Sequence, residues 1–112
     1  MKNLIWQFHK ADPKRKYAGE NSLLWAGASG GLALKYAMKC EVEYQYCSTP
    51  QYWKYLPGLG PGAERYQLFT EEFDSYSYIL YLDTDILISN EAPNLFDKYK
   101  NCDIVSFCWP NP

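Results

Sequence analysis

Residues 77–88 read Ser77-Tyr78-Ile79-Leu80-Tyr81-Leu82-Asp83-Thr84-Asp85-Ile86-Leu87-Ile88. The unbroken apolar run Tyr78–Leu82 suits a strand buried on both faces, as in a parallel sheet. It ends on two carboxylates. In an extended chain, residues two apart project to the same side. Asp83 and Asp85 are therefore expected to converge at the strand end, with Thr84 pointing away or capping the turn. A chance Asp-x-Asp is usually a solvated surface turn, but such turns rarely sit between two apolar runs like Tyr78–Leu82 and Ile86–Ile88.

Upstream, Leu4–Phe8 is a short apolar run ended by polar residues and reads as the first strand. A charged loop through Lys10, Asp12, Lys14, Arg15 and Lys16 follows, with Pro13 excluding helix. Asn21 or Ser22 can cap a helix running to about Lys39, with Leu24, Ala28, Gly31, Leu34 or Lys35, and Met38 on one side. Gly27, Gly30 and Gly31 each weaken that helix by about 1 kcal/mol relative to Ala, which calls for close packing of another element. Ala26–Gly31 matches neither Gly-x-Gly-x-x-Gly nor the Lys-terminated phosphate loop, and it does not directly follow a strand. Val42–Cys47 alternates and is rich in β-formers, a second strand.

Ser48–Gly62 is a long Pro/Gly-rich connection carrying Tyr52, Trp53 and Tyr55, able to stack on a ring or to cover the sheet edge. Ala63–Phe73 is helical in pattern. Ile86–Ile88 reads as a brief strand, Pro93 can start a short helix Asn94–Lys100, and Asp103–Phe107 reads as a last strand. This alternation predicts an α/β fold with a mainly parallel, Rossmann-like sheet and helices on both faces. Tyr78–Leu82 is expected to be central and parallel to Leu4–Phe8. Sites in such sheets lie at the carboxyl ends of the strands, here at His9 and Lys10 and at Asp83.

The 112 residues make one domain at most, or part of one. At 47% hydrophobic and 21% charged, the chain has a globular composition. A net charge of −2 argues against nucleic acid as a partner. No stretch approaches the ~20 apolar residues of a membrane span. The apolar start breaks at Gln7, His9 and Lys10, too early for a signal peptide, so the expected location is cytoplasmic. Cys40, Cys47, Cys102 and Cys108 fit no zinc spacing and read as free, mostly buried thiols. Eleven tyrosines lift the aromatic content to 18%, which serves a stacking surface or a core with a wet rim equally.

Two adjacent carboxylates repel, and one takes up a proton unless a cation intervenes. Hard divalent ions such as Mn²⁺ or Mg²⁺ favour such oxygens and draw their remaining ligands from substrate phosphates. The chemistry implied at Asp83 and Asp85 is metal-bridged binding of a phosphorylated substrate.

The run Ser77–Ile88, continuing to Asn94-Leu95-Phe96-Asp97, resembles the nucleotide-sugar glycosyltransferases of the GT-A fold, most closely the glycogenin-like branch. The likeness is strongest over Glu64–Phe107, and residues 1–47 share only the layout. It implies that residues 1–112 form the nucleotide-sugar-binding part of a single GT-A-like domain. Asp83 and Asp85 would be the metal site, binding the diphosphate of a nucleotide-diphosphate sugar through Mn²⁺ or Mg²⁺. Phe8, His9 and Lys10 map loosely onto the nucleoside contact, Arg65 onto a basic residue near the start of the preceding helix, and Thr84 onto the same cofactor-binding set.

Acceptor residues and a further metal ligand, commonly histidine, lie in this family well beyond the Asp-x-Asp strand. The chain has one histidine, His9, upstream of it. The expected protein is thus a truncated transferase, or a non-catalytic remnant, for an unknown sugar or protein acceptor, with apolar surface exposed where the sheet stays open. Haloacid-dehalogenase-like phosphatases also place Asp-x-Asp after a strand, with the first Asp as nucleophile. That pattern wants Thr or Val where Leu87 stands. Apart from the resemblance, His9 reads as a polar surface residue, and the basic loop as a solvated one.

Overall fold

The computed structural model describes residues 2–11, 22–53 and 60–105. In chain order these form strand β1 (Lys2–Phe8), helix α1 (Ser22–Cys40), strand β2 (Glu43–Cys47), 3-10 helices over Gly60–Phe69 and Glu71–Phe73, strand β3 (Tyr76–Tyr81) and the short helix α2 (Leu95–Lys98). The three strands form one sheet in the order β2-β1-β3. Both pairings are parallel, with Leu4 opposite Glu43 on one side and Ile79 on the other. The α/β class and the parallel sheet expected from the alternation are present.

Tyr78–Leu82 runs parallel to Leu4–Phe8 as expected, but among the described strands it is not the central one. The central strand is β1, whose Leu4–Phe8 segment is fully buried, while β3 flanks it and is half-buried along its length. Interior position goes to the strand with a partner on each side, and the apolar run of β3 serves two core faces without lying between two described strands. The β1–β3 register slips between Lys2 and Asn3 and passes over Ser77. The buried Ser77 hydroxyl has no partner among the described residues.

Alternation along β1 divides the core in two. Ile5 packs with Ala33, Tyr36 and Ala37 of α1, Leu82 after β3, and Phe96 of α2. Leu4, Trp6 and Phe8 pack on the opposite face with Phe73. There the Trp6 ring meets Phe73 edge-on at 6.4 Å and lies 5.9 Å from Tyr81. Helical elements thus cover both faces of β1, though the second cover is 3-10 rather than the α-helix expected at Ala63–Phe73.

Helix α1 begins at Ser22 and ends at Cys40, as its sequence pattern predicts, but its buried face is not the expected one. Ser22, Ala26, Ser29, Ala33, Tyr36 and Ala37 are buried. Leu24 and Met38, placed inward by their hydropathy, are 79% and 71% exposed, and Ala28, Gly31, Leu34 and Lys35 face out with them. Small residues let the helix approach β1, and two buried serines give that approach a polar purpose. Of the three glycines, only Gly30 is closely packed. A Cβ there would lie 3.2 Å from the Tyr44 hydroxyl, whereas Gly27 and Gly31 face nothing within 4 Å.

Helix α1 stops at Glu41, whose φ of 58° is left-handed. Glu41 N donates to Met38 O and Val42 N to Ala37 O, the paired bonds of a Schellman termination. Beyond β3, Ile86–Ile88 is irregular rather than a strand, with Ile86 and Leu87 exposed. Tyr36 OH donates to Pro93 O at 2.5 Å and accepts from Leu95 N, and Lys39 Nζ donates to Asn90 O and Ala92 O. Asn94 caps α2 by accepting from the amides of Phe96 and Asp97. Asp103–Val105 forms no strand. Ser106, Phe107, Cys108, the residues 12–16 of the basic loop, Asn21 and Tyr55 lie outside the described residues. Cys40 and Cys47 are half-buried free thiols, and Cys102 is exposed rather than buried.

Three substitutions test this account by urea unfolding. Gly27→Ala is expected to stabilise by about 0.5–1 kcal/mol, because its site is open and helical. Gly30→Ala is expected to destabilise by about 1 kcal/mol, through overpacking against Tyr44. Glu41→Gly is expected to stabilise by about 1 kcal/mol, by relieving the left-handed Cβ contact. Equal shifts for Gly27→Ala and Gly30→Ala would contradict the packing of α1 on β2.

Candidate functional site

The parallel sheet brings the carboxyl ends of β1, β2 and β3 to one side, and the candidate residues gather there. Asp83 follows β3, and Ile86 N donates to Asp83 O at 3.1 Å, closing a turn over Asp83–Ile86. The segment is therefore a tight turn rather than the extended chain expected. Asp83 and Asp85 are exposed, while Thr84 between them is buried. The turn points both carboxylates to solvent and the threonine inward.

Thr84 is buried because it reaches His9. The imidazole Nδ1 lies 3.0 Å from Thr84 Oγ1, and Nε2 lies 2.8 Å from Ser22 Oγ at the start of α1. His9 is only 8% exposed, so its reading as a surface residue is corrected. Burial holds its pKa below the ordinary value, favouring the neutral ring, in which one nitrogen donates and the other accepts. Hydroxyls can meet either role, which is why a histidine between Ser and Thr is fully matched.

A second polar chain runs parallel to the first. Tyr44 OH donates to Gln7 Oε1 at 2.7 Å, Gln7 Nε2 donates to Ser29 Oγ at 2.9 Å, and Ser29 Oγ donates to Ile86 O at 2.6 Å. The terminal carbonyl can only accept, so the direction of every bond in the chain is fixed. Burial pushes the Tyr44 phenol up to about 12, with the neighbouring Tyr46 adding to it, and keeps it a donor.

On the other side of the turn, Arg65 sits with its guanidinium carbon 5.5 Å from the Tyr81 ring centre. The Tyr81 phenol is held well above its ordinary range by burial first, then by the charge of Asp83 and its hydrogen bond to that carboxylate. The positive charge of Arg65 opposes this shift, and Asp85 adds to it. Arg65, Tyr81, Asp83 and Asp85 therefore share one electrostatic environment. Arg65 is exposed and anchored by its Nε, which donates to Gly62 O at 2.9 Å.

The other expected contacts fare differently. Phe8 is buried and stacked on Trp6 at 6.2 Å, so its side chain belongs to the core. Lys10 is exposed just beyond β1.

One buried carboxylate had no forewarning in the sequence. Glu64 is 0% exposed. Its carboxylate accepts from the backbone amides of Gln51, Tyr52 and Trp53 at 2.6–3.0 Å and from Gln67 Nε2 at 3.0 Å. Burial alone would raise its pKa, but the bonds from Gln51, Tyr52, Gln67 and Trp53 prevail and hold it below the ordinary value. The 3-10 geometry explains the pairing, since its three-residue turn stacks positions i and i+3 on one side. Gln67 also donates to Thr49 O. The helix that sets Arg65 over Tyr81 thus also fixes the first residues of the aromatic loop after β2.

Among the described residues, no group of three or more His, Cys, Asp or Glu is placed to hold a metal ion. The chain offers two exposed carboxylates, a donor set that fits a hard divalent ion only when other oxygens complete the shell. No helix among the described residues is long and apolar enough to cross a membrane. The chain matches no protein-family model, and neither curated proteins nor solved structures give a match.

Glu64 and His9 each give a signed pH prediction. The folded pKa of Glu64 is lowered from about 4.5, so its contribution is present above that value and lost as the pH falls through the folded pKa. Glu64→Gln is expected to be less stable at pH 7 by at least about 2 kcal/mol, because an amide cannot accept all these donors. Its stability should then change less than that of the wild type on acidification. The folded pKa of His9 is lowered from 6.5, so stability should fall as the pH drops below that value toward the folded pKa. His9→Asn should lack that part of the pH dependence in urea titrations between pH 7.5 and 5.

Proposed function

We propose that this chain binds a nucleotide-diphosphate sugar through a divalent cation at Asp83 and Asp85, as the donor-binding part of a GT-A-like glycosyltransferase. The observation that carries the reading is the turn at the carboxyl end of β3. It exposes both carboxylates and buries the residue between them, just past Tyr81, over whose ring Arg65 lies. The parallel sheet supports it, because α/β sheets bind ligands at that end.

Asp83 and Asp85 would hold Mn²⁺ or Mg²⁺, with the donor diphosphate supplying the remaining oxygens. The bound cation would neutralise charge on the diphosphate as the sugar's C1–O bond breaks. Arg65 adds a second positive charge on the same side of the sheet, able to bind phosphate oxygens. The Tyr81 ring lies under the Arg65 guanidinium and feels the charge of both carboxylates. Lys10 stands exposed at the end of the neighbouring strand, open to the nucleoside side of the donor. The acceptor, a sugar or a protein side chain, is left open by these residues.

The test is calorimetric titration of uridine and guanosine diphosphates in turn, with and without Mn²⁺. Mn²⁺ is expected to tighten binding of one of them by about 1–3 kcal/mol, with the nucleotide tightening Mn²⁺ equally. Asp85→Asn is expected to remove most of this coupling and leave the melting temperature nearly unchanged, since Asp85 is exposed. Equal affinity under all conditions would overturn the reading. Release of phosphate with an acyl-phosphate trapped at Asp83 would replace it by the phosphatase alternative.

A further inference from the structure

The strands and α1 share a buried polar seam that ends on the acidic turn, and the cation reading makes no use of it. We propose that His9, with Ser22, and Gln7, with Ser29, are positioning residues that clamp the Asp83–Ile86 turn at two points and so set the directions of Asp83 and Asp85. This rests on the reading of those carboxylates as a cation site.

The two points of attachment bracket Asp85. His9 Nδ1 meets the Thr84 hydroxyl on one side, and Ser29 Oγ meets the Ile86 carbonyl on the other. Each is backed by a second contact, Ser22 behind His9 and Gln7 with Tyr44 behind Ser29. Ser22 and Ser29 lie two helical turns apart on the same buried stripe of α1. Gln7 and His9 alternate onto the same face of β1. One helix and one central strand therefore grip the turn together, while the carboxylates themselves stay in solvent.

An exposed acidic turn without such contacts would sample many directions, and two unpaired like charges would drive them apart. A pair of carboxylates serves a cation only if both oxygen sets stay within reach of one ion. Four buried polar side chains are also more than the core needs, because an apolar seam of the same shape would serve stability as well or better. Their placement is explained by what they hold.

Histidine substitution separates the clamp from the packing. Asn at position 9 places a polar atom near the former Nδ1, on the Thr84 side, and Gln places one near the former Nε2, on the Ser22 side. Both lose one contact and should be destabilised alike. His9→Asn and Thr84→Ser are expected to retain the Mn²⁺-dependent tightening of nucleoside diphosphate binding within about twofold. His9→Gln and Thr84→Val are expected to reduce it at least about fivefold, the lower end of typical coupling.

Amide hydrogen exchange at Ile86, whose N–H closes the turn, gives a readout that needs no ligand. It should speed up roughly tenfold in His9→Gln, Thr84→Val and Ser29→Ala, and much less in His9→Asn. Variants that lose stability while keeping both Ile86 protection and the Mn²⁺ effect would overturn the positioning role. Absence of any Mn²⁺ effect in the wild type would overturn the cation reading, and the exchange arm would then decide the positioning role alone.

Discussion

The contact between His9 and Thr84 joins two residues 75 positions apart in the chain, and much of the molecule is arranged so that it can form. β1 has to be central for its last inward side chain to reach both α1 and the end of β3. α1 has to carry small residues on its inner face, because a helix of Leu and Met there would stand too far off for Ser22 and Ser29 to bond. The β3 chain has to turn sharply after Leu82, because an extended continuation would carry Thr84 away from the imidazole. The cost of burying these polar groups is met within the seam, where His9 has a hydroxyl on each nitrogen and the Tyr44–Gln7–Ser29–Ile86 chain runs in one fixed direction.

Glu64 plays a comparable part on the opposite side of the sheet. A lone buried carboxylate would be costly, yet three consecutive backbone amides and one side-chain amide surround this one. The 3-10 helix that carries it is ten residues long, well beyond the usual three or four. Glu64, Gln67 and Thr70 succeed one another at its three-residue period, and the Thr70 hydroxyl donates to Gln67 O. The loop after β2 and the arginine over Tyr81 are thus held by the same 3-10 helix.

Strands β1, β2 and β3, helix α1 and the pair of carboxylates after β3 were legible because each is written in local pattern, whereas Ile86–Ile88 and Asp103–Val105 are apolar runs too short to specify a strand. Tyr78–Leu82 is apolar without interruption, Ser22 follows a charged loop, and the carboxylates stand alone between apolar runs. The inner face of α1 was not legible by hydropathy, since the residues that pack inward are smaller and more polar than those that face out. A search for small residues would have found Ser22, Ala26, Ser29 and Ala33 on one stripe. His9 read as a surface residue because its partners are distant in sequence. Glu64 had little signal, because three of its four partners are main-chain amides, which any sequence supplies. The order of the strands likewise depends on which pair in space, which alternation alone does not decide.

The three described strands pair only in parallel, so none of them joins its neighbour through a hairpin with which to begin folding. Each pairing of β1 waits for a strand that is far along the chain, and closing such loops is entropically slow. During synthesis β1 emerges before β2 and β3, and its Leu4, Ile5, Trp6 and Phe8 are the side chains meant for the interior. It can pair with β2 only after α1 has left the ribosome, and it stays open on its other side until β3 has been made. A nascent chain therefore carries β1 with an unpaired edge until β3 has been made, which makes β1 a segment on which chaperone capture or aggregation would act.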